Sequence, residues 1–112
     1  MLAQQQQLNL IVHARYFITP VKINSYRLTA IVDSDTTDNF MARALVNRKK
    51  YSIQEKSDVY NLIIVDRNLL SDGNRRVDEK TKLLPIAIQQ HYKKLIFDIV
   101  EIVTHDIVLE IS

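Results

Sequence analysis

Leu28-Thr29-Ala30-Ile31-Val32-Asp33-Ser34-Asp35-Thr36-Thr37-Asp38-Asn39-Phe40 passes abruptly from an apolar run into carboxylates and small hydroxyl residues. The β-branched run through Val32 fits a strand, and the small polar residues after it fit a tight turn that presents Asp33 at the strand's end. From Asp38 onward the apolar residues Phe40, Met41, Ala44, Leu45 and Val46 fall three to four apart in places. That spacing predicts a short helix, with Thr37 or Asp38 where an N-cap would stand. The local order is strand, acidic turn, helix.

Upstream, Leu8 to Val12 and Tyr16 to Ile18 lean towards strand. After Pro20, the alternation of Val21 and Ile23 and then of Leu28, Ala30 and Val32 predicts two half-buried strands joined at Asn24-Ser25, a hairpin that delivers Asp33. The segment from Pro85 to Val100 repeats this layout: proline, a short alternating strand, a polar turn and a second apolar strand. Between the two halves, Val59 to Val65 reads as a buried strand. Asp66 to Lys82 is a polar stretch that holds the only glycine, Gly73. Asp72-Gly73 is a hairpin-turn signal, with Leu69 and Leu70 before it and Val77 after it.

Composition limits the rest. The chain has 112 residues, 46% hydrophobic and 25% charged, which suits one small globular domain over 8–112 after a Gln-rich, flexible lead-in at 1–7. There is no cysteine, hence no disulfide framework or thiolate chemistry, and an intracellular, cytoplasmic setting is compatible. Neither a signal peptide nor a membrane-spanning run is legible. With 15 basic and 13 acidic residues scattered along the chain, no specific nucleic-acid binding is expected, and Arg48-Lys49-Lys50 and Arg75-Arg76 read as solvated surface. The five tyrosines and three phenylalanines read as core and cleft wall, not as a base-stacking platform.

The strand-Asp-Ser loop resembles the Asp-Ser/Thr-Gly loop of the retropepsins, the aspartic proteases of retroviruses and retrotransposons, and most closely that of gypsy-type LTR retrotransposon polyproteins. The resemblance extends over Ile18 to Asn24 leading into Val32-Asp33-Ser34, over Tyr60 to Asp66, and over Phe97 to Val100 with His105 to Leu109. Val108-Leu109-Glu110 stands where the family carries its second signature, two apolar residues followed by glycine. Two departures each put a carboxylate where the family has glycine: Asp35 in the loop and Glu110 in the second signature.

The resemblance implies an all-β, retropepsin-like fold, closed and barrel-like, with one short helix after the Asp33 loop. It implies that Asp33 is catalytic, that Ser34, Asp35, Thr36 and Thr37 form or brace the loop, and that Leu69, Leu70, Asp72, Gly73 and Val77 belong to a flap over bound peptide. One such Asp per chain implies a homodimer that cleaves peptide bonds of a polyprotein with a water activated by the Asp dyad, without metal or cofactor. A virus-like particle is an accompanying setting. Relative to the family, the chain stops directly after the second signature, short of a C-terminal helix and strand. Crowding of Asp33 and Asp35 across a dimer would raise carboxylate pKa values. The alternative reading is therefore a catalytically inactive relic that serves only as a dimerisation or peptide-binding β domain.

Metal chemistry finds little support. Asp33, Asp35 and Thr37 match positions one, three and five of a calcium loop, but Asp38 occupies the glycine position and Ala44 the bidentate Glu position. His13, His91 and His105 lack ligand spacing, and His105-Asp106 has no partner histidines.

Overall fold

The structure is a computed structural model that describes residues 7–10, 16–33, 36, 38–64, 76–101 and 105–110. The described strands are β1 (Gln7–Leu10), β2 (Tyr16–Ile23), β3 (Tyr26–Asp33), β4 (Phe40–Ala42), β5 (Ile53–Ile64), β6 (Arg76–Thr81), β7 (Leu84–Ile88), β8 (His91–Leu95), β9 (Asp98–Val100) and β10 (Ile107–Glu110). One helix, α1 (Arg43–Lys49), follows β4. The all-β architecture, with a single short helix among the described residues, is the one expected. No described helix is long and apolar enough to cross a membrane.

All ten strands join one sheet in the order β1-β5-β6-β9-β4-β10-β3-β2-β7-β8. β2 and β3 form the hairpin expected at Asn24-Ser25, with Ile23 opposite Tyr26. Both turn residues have positive φ, 51° and 71°. A two-residue turn with this twist matches the right-handed twist of its strands. β7 and β8 form a second hairpin around Gln89-Gln90, with Ile88 opposite His91.

The centre is built by a crossing. β3 and β4 are consecutive in the chain, yet β10 lies between them, parallel to β3 and antiparallel to β4. β4 in turn runs parallel to β9. Residues here are covered on both faces, so Phe40, Met41, Ile99, Ile107 and Val108 are all essentially inaccessible to solvent. Burial of such side chains is worth about 1.5–3 kcal/mol each, which is why this short-stranded centre holds.

Three sequence expectations are corrected. Phe40 and Met41 belong to β4, and the helix begins only at Arg43 with Ala42 as a cap that makes no side-chain bond. A strand buried on both faces shows no alternation, so its apolar residues merged with those of the helix. Neither Thr37 nor Asp38 is the N-cap. In the segment from Pro85 to Val100 the strand expected after the polar turn is apolar; the strand that follows Gln89-Gln90 is instead edge strand β8, four of whose five residues are exposed. The apolar strand after it is shortened to β9.

Candidate active site

β3 carries the burial pattern of a strand that enters the core from solvent: its first two residues are exposed and its last four are buried. Asp33, the last, is 1% exposed. It is flanked by Tyr16 of β2 on one side and Glu110 of β10 on the other. Thr36 donates both its backbone N–H (3.5 Å) and its hydroxyl Oγ1 (3.2 Å) to the Asp33 carbonyl. Thr36 is buried too. Ser34, Asp35 and Thr37 lie outside the described residues.

Of the second signature, Val108 and Leu109 are buried, in register with Ile31 and Val32. Glu110 sits in register with Asp33. The sequence reading missed the residue that joins the two signatures. Asn39 accepts the Glu110 backbone N–H on its side-chain Oδ1 at 3.0 Å, and its carbonyl accepts the Asp98 backbone N–H at 2.9 Å. It thereby ties the Asp33 loop, β10 and β9 together at one point. Its only sequence signal is an amide placed between an acidic turn and an apolar residue.

Asp98 leads to a second polar cluster. The Tyr60 hydroxyl donates to its Oδ2 in a short hydrogen bond, and Lys56 Nζ donates to its Oδ1 at 3.1 Å. The side chains of Lys56 and Asp98 are each only 9% exposed. Lys56 also lies 3.5 Å from the exposed carboxylate of Asp58. Burial, then the Asp98 charge and its hydrogen bond, push the Tyr60 phenol far above its ordinary range. Nearby, burial raises the Asp38 carboxyl above its ordinary 3.8, Asp98 and Glu110 raise it further, and Lys56 opposes them. A lone carboxylate within the apolar run Phe97-Asp98-Ile99-Val100 was the legible hint of this cluster. Its partners on β5 were not legible.

β5 and β6 pair as the two arms of a hairpin, with an irregularity between Glu55 and Tyr60. Leu69, Leu70, Asp72 and Gly73, the expected flap tip, lie outside the described residues. Val77 is in β6, opposite Tyr60 and 1% exposed, so it packs in the core. Among the described residues no three His, Asp or Glu side chains are grouped to hold a metal ion.

A buried aspartate ends a central strand, beside a parallel strand threaded between two chain neighbours. A solved structure shares this fold: the chain is similar to the retroviral protease-like domain of Ddi1 from Leishmania major, with TM-score 0.58 and 14% identity over 88% of this chain and 74% of that one. The fold is that of a retropepsin-like, protease-type β domain. The model of the PEG10/RTL1 protease domain family matches residues 29–112, and the chain belongs to that family. A search of the curated proteins found no match.

Proposed function

We propose that this chain is an aspartic endopeptidase domain of retrotransposon-polyprotein descent, of the gypsy type, working as a homodimer in which each copy supplies Asp33. The observation that carries the reading is the pairing of a fully buried Asp33 with a braced turn and an in-register β10. Two such carboxylates brought together share one proton. One, ionised, takes a proton from a water that attacks the scissile carbonyl carbon; the other gives its proton to the carbonyl oxygen. The peptide substrate lies extended, held by main-chain hydrogen bonds, under the hairpin whose arms are β5 and β6. We place the activity in the cytoplasm or a virus-like particle, in keeping with a cysteine-free chain.

Peptide-library cleavage from mildly acidic to neutral pH tests the reading, with Asp33→Asn and the double variant Asp35→Gly/Glu110→Gly in parallel. The expected result is cleavage that Asp33→Asn lowers by about 10³-fold or more, as loss of an essential acid–base group does. Cleavage indifferent to Asp33→Asn overturns it. Activity found only in the double glycine variant assigns the chain as an inactive relic. Sedimentation is expected to show a concentration-dependent dimer.

A further inference from the structure

At the far end of β3 from Asp33, six residues or about 20 Å along the strand, the sheet turns a different surface to solvent. Arg27 of β3, Lys22 of β2, Ala87 of β7 and Tyr92 of β8 stand in register across neighbouring strands. At strand spacing this row spans about 14 Å. It belongs to the outer face, because the residues that alternate with Lys22 and Ala87, namely Val21, Ile23 and Ile86, are buried. Ala87 contributes only a methyl group, so the row dips between Lys22 and Tyr92. Two hollows share those three residues: one of about 490 Å³ that extends to Lys93 and Lys94, and one of about 260 Å³ that extends to Arg27 and Gln89.

Charge and chemistry converge on this face. Lys22, Arg27, Lys93 and Lys94 contribute to the hollows and no carboxylate does. Among the described residues none of these four cations is held in an ion pair. Among the described residues Tyr92, at 85%, is the most exposed large hydrophobic side chain. This corrects the expectation that the tyrosines are core and cleft wall.

We propose that this face binds single-stranded nucleic acid without sequence preference, with a base stacked on Tyr92 and phosphates held by Lys22, Arg27 and Lys94. An exposed aromatic ring flanked by unpaired cations is the combination that serves unpaired bases of any identity. A duplex buries the base faces that Tyr92 would stack on. An acidic peptide satisfies the cations but makes no use of the ring. The expectation that no specific nucleic-acid recognition occurs is left in place, because nothing in this arrangement reads base edges. The surface lies across β2, β7, β8 and the end of β3 remote from Asp33, so the inference is independent of catalysis there.

Fluorescence anisotropy of the full chain with a labelled oligouridine of about 12 nucleotides tests this. Three to four phosphate contacts predict a slope of log affinity against log salt of about −2 to −3. Lys22→Glu/Lys94→Glu is expected to weaken binding at least about tenfold, and Tyr92→Ala about tenfold with the salt slope unchanged. Charge reversal of Arg48-Lys49-Lys50 is the control and is expected to change binding little. Circular dichroism melting verifies that each variant folds. Absence of salt-sensitive binding overturns the proposal, as does binding lost with the Arg48-Lys49-Lys50 reversal but kept in Lys22→Glu/Lys94→Glu. Equal competition by oligoglutamate, together with indifference to Tyr92→Ala, overturns it in favour of an acidic peptide.

Discussion

β3 and β8 are strands of one sheet with opposite surroundings. β3 lies between β10 and β2, and its last four residues are buried. Among the described strands β8 pairs only with β7, and four of its five residues are exposed. In the centre, every polar group must find a partner within the protein, so Asp98, Asn39 and Thr36 are all hydrogen-bonded. At the edge, lysines and a tyrosine stand in water at little cost. Lysines there also discourage further strands from pairing. Substitutions in the centre are therefore expected to be read out as stability, and those at the edge as binding.

The largest effect is expected at Asp98. Asp98→Ala leaves Lys56 buried without its main counter-charge and removes the acceptor of Tyr60, so urea denaturation should show a loss of about 3–5 kcal/mol. A loss under 1 kcal/mol would break the contrast between centre and edge. Next, Asn39→Ala deprives the Glu110 N–H of its acceptor and should cost about 1–3 kcal/mol. If the crossing acts as a unit, a double-mutant cycle of Asn39→Ala with Thr36→Val should be non-additive.

At the hairpin turn between β2 and β3 the sign reverses. Ser25 holds φ of 71°, where glycine is unstrained, so Ser25→Gly should raise stability by about 0.5–1 kcal/mol in thermal melts. Asp38 gives a pH-dependent test. Burial raises its folded pKa above 3.8, so its ionised form weighs against folding. That burden is absent at pH below 3.8 and sets in as pH rises through the shifted value. Asp38→Asn should therefore stabilise the protein near neutrality and leave it unchanged in acid, by an amount reduced because the side chain is half-exposed. The smallest effect belongs to Tyr92→Ala, which should leave stability within about 0.5 kcal/mol while weakening oligouridine binding.

The sequence made some parts of this arrangement plain and concealed others for definite reasons. Asn24-Ser25 announced its hairpin, because turn residues between alternating strands act locally. Asp33 at a strand end was legible for the same reason, whereas the pair Val108-Leu109 was legible only through its resemblance to a family signature. Phe40 to Ala42 was not, since a strand buried on both faces carries no period to distinguish it from the helix that follows. His91 to Lys94 failed in the opposite way: a strand exposed on both faces has no apolar residues to alternate. The network of Asn39, Asp98, Lys56 and Tyr60 joins the segment before β4 to β5, β9 and β10, a juxtaposition that appears only once β10 has been threaded between β3 and β4.

That threading also sets an order of assembly. Ala30 meets its β10 partner Ile107 only across most of the chain, whereas the β2–β3 hairpin closes over two residues. The entropy of closing so long a loop is lost before the contact repays it, which makes such pairings late and slow. A nascent or partly refolded chain would thus hold Asp33 on a hairpin open along one side until β10 arrives. In pulsed hydrogen exchange during refolding, amides shared by β2 and β3 should gain protection first, and those shared by β3 and β10 last.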